Sequence, residues 1–205
     1  MIKMTGFSIK EGISKEHVKK AAQLYAEAFE KKFVKLIADK DSMSELFEKG
    51  INPSYALSAV DSDNNLMGLA GFHIGEKSLI DLKMRDFVEM FGFFKGVYKG
   101  FLGYFIFDRK ALDAKQLLMD GIVVDAVYRG KGVGTALFNA LECYAFNKGY
   151  RSIKLDVIDE NPKAKKLYTN IGFREIGHEK VPKFLHSKIG VTGYTGMVKT
   201  LNPNA

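Results

Sequence analysis

Gly130, Gly132 and Gly134 alternate along the chain between an apolar run and an amphipathic one, with Arg129 and Lys131 among them. Glycine permits the tight turn that leaves successive backbone N–H groups exposed. A helix starting directly behind that turn adds a dipole favourable to an anion. With two cations beside it, the segment reads as a phosphate or pyrophosphate cradle. Spacing tests the known cradles. A Walker loop closes on Gly-Lys-Ser/Thr, whereas Thr135 follows Gly134 with no lysine between. The dinucleotide fingerprint wants glycine at its sixth place, which falls here on Thr135 or Leu137. Neither nucleotide motif fits, and a plain glycine-rich strand–helix turn stands beside the cradle as the other reading.

Asp120 interrupts the otherwise apolar segment Leu117 to Val124. A carboxylate there serves as a general base, as an anchor for a substrate ammonium, or simply as a strand-end residue. Gly121 beside it marks a bulge. The four histidines, His17, His73, His178 and His186, show no paired metal spacing, so no metal site is expected. Of these, His73 at a hairpin end and His186 in a loop are the two that could enter a substrate pocket. Cys143, the single cysteine, rules out an internal disulfide and a cysteine zinc site, points to a reducing compartment, and reads as a small buried residue. Lys163, Lys165 and Lys166 read as a solvated helix face, with Lys163 and Lys166 in reach of a phosphate.

The elements that must position these groups follow from periodicity. Met4 to Lys10 reads as a first strand. Ser14 offers an N-cap, and Val18, Ala22, Tyr25, Phe29, Phe33 and Ile37 recur at helical spacing, giving a helix over roughly 15–38. Ser42 or Ser44 caps a second helix ending near Gly50. Tyr55–Val60 and Leu66–Ile74 flank the turn signal 61–65 and form a hairpin. Leu117–Val124 is a strand, Thr135–Lys148 a helix ended by Gly149, and Ser152–Val157 a strand. Asn161-Pro162 starts a short helix, and strands begin at Phe173 and Val191. The order β-α-α-β-β-(insert)-β-α-β-α-β-β makes this an α/β (α+β) chain, with a mixed, mostly antiparallel central sheet and helices on both faces. No repeat or linker breaks residues 1–205, which read as one domain.

The pattern that does fit the glycine turn is Arg-x-x-Gly-x-Gly at Arg129, Gly132 and Gly134. With Leu155-Asp156-Val157, Asn161, Ala164, Leu167-Tyr168 and Gly172-Phe173 downstream, residues 117–175 resemble the GNAT superfamily of N-acetyltransferases. The resemblance implies transfer of an acetyl group from acetyl-CoA to a primary amine in a ternary complex. It implies that strand 117–124 splays from strand 152–157 and that the main chain of Ile122, Val123 and Val124 holds the pantetheine arm. It implies pyrophosphate on the amides of Arg129, Gly130, Lys131, Gly132, Val133, Gly134 and Thr135, cofactor contact at Asn161 and Ala164, and the Tyr168 hydroxyl at the thioester sulfur. Asp120 falls where many members carry glutamate. Aspartate is one methylene shorter, so a water relay to the amine suits it. Packing beside Leu167 is the other reading of Tyr168. A non-catalytic coenzyme A-binding regulator is the alternative function.

Residues 78–112 lie outside that pattern. Nine of the 25 aromatic residues fall in the 22 residues from Asp86 to Phe107, where even spread would place about three. Phe87, Phe91, Phe94, Tyr98, Phe101 and Phe105 fall at helical spacing, with Lys95 and Lys99 on the other side. Gly92, Gly96, Gly100 and Gly103 should bend the helix. The insert reads as a packed helix or helix pair, as a wall of the acceptor site that would favour an acceptor with an apolar part, or as a surface for a membrane or a second copy. Burial would remove the last. The chain carries 31 basic and 24 acidic residues, net +7, but its positive residues are spread, so nucleic acid is not expected as a partner. No signal peptide or run of ~18 apolar residues is visible. The expectation is a cytoplasmic protein without membrane contact, with a homodimer open.

Overall fold

Eight strands form among the described residues: β1 (Ile2–Met4), β2 (Phe7–Glu11), β3 (Ala56–Asp61), β4 (Leu66–His73), β5 (Gln116–Val124), β6 (Ser152–Ile158), β7 (Arg174–Lys180) and β8 (Gly193–Thr200). Six helices accompany them: α1 (Val18–Phe33), α2 (Lys40–Gly50), α3 (Met84–Phe91), α4 (Phe93–Phe107), α5 (Val133–Asn147) and α6 (Pro162–Asn170). The computed structural model describes residues 2–4, 6–33, 39–107, 113–183, 186 and 190–201. The strands make one sheet in the order β1-β2-β3-β4-β5-β6-β8-β7. All neighbours are antiparallel except β5 and β6, which run parallel. The mixed, mostly antiparallel sheet expected from the element order is therefore the one that forms.

Period-two alternation gives the sheet two apolar faces. On one, Leu57, Ala59, Ala70, Phe72, Leu117, Met119, Ile153 and Leu155 pack beneath Val133, Leu137, Leu141 and Ala145 of α5. On the other, Ala56, Leu66, Leu69 and Val123 pack beneath Ala22 and Tyr25 of α1, Leu46 and Phe47 of α2, and Phe87 of α3. Leu137 is fully enclosed. Leu137→Ala should cost about 2–5 kcal/mol, read as a lowered denaturant midpoint with an unchanged slope.

The differences from the sequence reading have local causes. The expected first strand is a hairpin of β1 and β2, because Gly6 adopts φ 96° and reverses the chain. Ser14 bonds the His17 ring at 2.8 Å and caps no backbone group. A 3-10 turn, Lys15–His17, therefore precedes α1, and residues 34–38 of the expected long helix lie outside the described residues. Asp39, and neither Ser42 nor Ser44, caps α2, by accepting from the Ser42 N–H at 3.0 Å. The insert is a helix pair broken at Gly92, φ 76°. Among the described residues no helix is long and apolar enough to cross a membrane.

Candidate active site

The parallel ladder between β5 and β6 is short. It joins Gln116 to Ser152, Leu117 to Ile153 and Leu118 to Lys154, and no pairing follows. Beyond Leu118, β5 stays on β4 through to Val124, while β6 stays on β8 through to Ile158. The two strands part and leave a gap in mid-sheet, at the carboxyl ends of parallel strands.

The phase of the β4 ladder decides which groups of β5 face that gap. Asp125 N–H donates to Met67 C=O at 2.9 Å, so Val123 exchanges its main-chain bonds with Leu69, and Ile122 and Val124 turn theirs to the open side. A Cβ on Gly68 would lie 2.5 Å from the Val123 carbonyl oxygen, which fixes that carbonyl on the β4 side. The open edge thus belongs to Ile122 and to the Val124 N–H, since the Val124 C=O accepts from Arg129 Nε at 3.1 Å. Val123, expected beside them, has its main chain in the ladder and its side chain buried among α1 and α2 residues.

Where β5 ends, Asp125 accepts from Val127 N–H at 3.2 Å and pairs with Lys20 at 2.6 Å. The Lys20 ammonium, first among several causes, holds the Asp125 carboxyl below the usual carboxylate range. The chain then winds through Gly130, φ 74°, and Gly132, φ 79°, into α5. The first intrahelical bond of this turn runs from Ala136 N–H to Gly132 C=O. The N–H groups of Gly130, Lys131, Gly132, Val133, Gly134 and Thr135 donate to no protein acceptor among the described residues. A Cβ on Gly130 or Gly132 would meet nothing within 4 Å. Arg129 does not fit the cradle as expected. Its N–H donates to Ala126 C=O at 3.4 Å and its Nε to Val124 C=O at 3.1 Å, so its guanidinium closes the loop back onto the strand. Gly132→Val would put a β-branched residue at positive φ. The expected result is about a tenfold or greater loss of coenzyme A affinity by calorimetry, with β5 and α5 intact.

On the far side of the gap, Asn161 caps α6, its Oδ1 accepting the Ala164 N–H at 3.1 Å. That bond engages the Ala164 amide and leaves the Asn161 side-chain NH2 toward solvent. Tyr168, on the second turn, packs edge-on against Phe173 at 5.5 Å, on the same face as Ile122 and Val124. Its hydroxyl has no protein hydrogen-bond partner among the described residues. Burial holds its pKa above the usual phenol value.

Asp120 is the bulged residue of β5: Gly71 pairs with Gly121 and Phe72 with Met119, leaving Asp120 over. Its Cβ lies by Gly71 and Leu79, on the α1–α2–α3 face, opposite Tyr168. There its Oδ1 is in hydrogen-bond contact with His73 Nε2, both side chains being nearly enclosed at 9% and 12% exposure. His73 is the residue that sequence reasoning left undecided. Its alternation on β4 places it beside β5, but the bulge that brings Asp120 to it is not visible in composition. His186 bonds Val181 C=O at 2.6 Å and His178 pairs with Asp159 at 3.0 Å. Cys143 is exposed on α5, not buried as expected. Among the described residues no cluster of His, Cys, Asp and Glu could hold a metal.

Residues 18–173 match the sequence model of the acetyltransferase (GNAT) family. The chain belongs to the GNAT family. Its fold matches solved GNAT structures over nearly the whole length. A Corynebacterium glutamicum histone acetyltransferase HPA2 and related acetyltransferase superposes with TM-score 0.65 at 19% identity, covering 98% of this chain and 99% of that one. A Vibrio cholerae spermidine N-acetyltransferase in complex with CoA and spermine gives TM-score 0.58 at 18% identity, covering 97% of each. In sequence, mouse thialysine N-epsilon-acetyltransferase is 33% identical over 75 residues, 37% of this chain. The chain spans 43% of the length of that relative. In this GNAT protein the parted strands and the amide-lined loop occupy one end of the sheet, with Asp120 and Tyr168 on opposite faces of that sheet.

Proposed function

We propose that this GNAT protein is an N-acetyltransferase that moves the acetyl group of acetyl-CoA to a primary amine by direct transfer, within one catalytic domain comprising residues 1–205. The observation that carries the reading is the gap beyond Leu118 and Lys154, next to backbone N–H groups without acceptors from Gly130 to Thr135. That donor set fits a pyrophosphate, since consecutive amides at a helix N-terminus bind anions without a side-chain charge. Lys131 adds a cation. The open edge of Ile122 and Val124 fits an extended pantetheine arm laid alongside as an added strand. Asn161 and the first turn of α6 close the other side.

When bound, acetyl-CoA supplies an activated acyl group on a thiolate leaving group. The chain's own residues then have three tasks. Asp120, from the α1–α2–α3 face, takes the proton that an amine must lose, directly or through a water, or anchors its ammonium beforehand. The Ile122 N–H, turned into the gap, is placed to stabilise negative charge developing on a carbonyl oxygen. Tyr168, from the α5 face, donates its hydroxyl proton to sulfur. The N–C bond forms as the C–S bond breaks, and the proton lost at nitrogen balances the one gained at sulfur. Burial suits Tyr168 to this, because it keeps the phenol protonated at neutral pH.

The mouse relative's name makes a small molecule with a free primary amino group the first acceptor class to test. Incubation with acetyl-CoA and a panel of polyamines, lysine analogues and amino acids, read by free thiol release and product mass, should show a mass gain of one acetyl group on an amine. Coenzyme A binding with no acetyl-CoA consumption across the panel would favour the regulator instead. A carboxylate at Asp120 together with a phenol at Tyr168 that bonds no protein group among the described residues supports the enzyme.

A further inference from the structure

Helix α4 does not present its aromatic face to the domain. Its contact with α3 runs along glycines. A Cβ on Gly96 would lie 2.5 Å from the Val88 Cα, and one on Gly100 2.5 Å from the Met84 Sδ. At Gly96, against the α3 backbone, only glycine permits so close an approach, and it sets the helix's rotation. With 3.6 residues per turn, the ridge of Phe93, Phe94, Val97, Tyr98 and Phe101 then points away from α3. Phe94 is 87% exposed, Phe93 67% and Phe101 59%. The insert is therefore only partly the packed pair expected: α3 contributes Phe87 to the core, and α4 turns aromatic side chains to solvent. Apolar side chains exposed contiguously at this density mark an interaction surface.

Charge selects among occupants. Helix α4 carries Lys95 and Lys99 and no acidic residue. On the helical wheel Lys95 and Lys99 follow Tyr98 at one border of the aromatic ridge. Lys99 lies over the Phe91 ring at 4.1 Å, and partial burial first, then the neighbouring Lys95 charge, lowers its pKa. Two copies meeting through this face would bring like charges together, on chains that each carry net +7. A sheet of phosphate headgroups supplies the opposite charge, and aromatic side chains are suited to the depth just beneath it.

We propose that the α4 face docks on an anionic lipid bilayer, with Phe93, Phe94, Val97, Tyr98 and Phe101 entering the headgroup–acyl boundary and Lys95 and Lys99 meeting lipid phosphates. This reverses the expectation of no membrane contact and is independent of the acetyltransferase reading. The test is co-sedimentation of the full chain with vesicles of phosphatidylcholine alone, and with phosphatidylcholine and phosphatidylglycerol mixed at roughly two to one. Binding should be about tenfold or more stronger to the anionic vesicles, and should weaken with salt. Phe94→Ser should lower it about tenfold. Lys95→Glu, also at an exposed position, should lower it at least about fivefold. Both variants should keep the parent melting temperature and coenzyme A affinity. Absence of binding to the anionic vesicles, or binding by both variants equal to the parent's, would overturn the proposal. Self-association of the parent chain that Phe94→Ser abolishes, without vesicle binding, would overturn it in favour of a second copy.

Discussion

Tyr168→Phe should lower kcat by about a hundredfold to a thousandfold while leaving coenzyme A affinity nearly unchanged. General acid catalysis by a placed side chain contributes about that much. Phenylalanine keeps the edge-on contact with Phe173 and removes only the hydroxyl, which bonds no protein group among the described residues. The fold should therefore not register the change, and the effect should fall on turnover alone. Burial raises the Tyr168 pKa, so the phenol stays protonated through neutral pH and kcat should lose its acid only at or above the ordinary phenol range of ~10. The same sign governs stability: the unfolded chain ionises this tyrosine first as pH rises, so native stability falls above that range. Kinetics over pH 6 to 10, with coenzyme A titrations on both proteins, check the prediction. A variant that loses cofactor binding instead would make Tyr168 a packing residue.

The second large effect is expected at Asp120. Asp120→Asn preserves size and a hydrogen bond to His73 but removes the proton acceptor. If the carboxylate is the base, kcat should fall about a hundredfold or more. If it anchors the acceptor's ammonium, the loss should appear mainly in KM for the amine. His73→Gln should cost about tenfold less, because His73 reaches the reaction through Asp120, which it holds at the edge of the gap. Steady-state kinetics of both variants with one amine separate these outcomes. Activity equal to the parent in Asp120→Asn would remove the carboxylate from the mechanism.

Much of this was legible in the residues. The alternation of Ile153, Leu155 and Val157, the capping of α6 by Asn161 ahead of Pro162, and the glycine turn before α5 each follow from local rules, and each formed where expected. What the sequence hid were consequences of register. The bulge at Asp120 depends on how β5 slides against β4, and a single glycine hints at it without saying which neighbour it selects. His73 becomes the partner of Asp120 only through that slip. The ladder phase that turns Ile122 and Val124 outward and Val123 inward is likewise set by one bond at Asp125. The aromatic insert stayed open among three readings for the opposite reason. Its spacing is helical, but the glycines that were expected to weaken the helix form its contact with α3, and so expose the stripe that looked like core.

The central claim is that the opening between β5 and β6 seats the thioester-bearing arm. A crystal structure with acetyl-CoA tests it most directly. The account predicts pyrophosphate oxygens on the amides of Gly130 to Thr135, the pantetheine chain bonded to Ile122 and Val124, and sulfur within hydrogen-bond reach of the Tyr168 hydroxyl. A cofactor bound elsewhere, or an opening closed by β6 zipping onto β5 beyond Leu118, would contradict it.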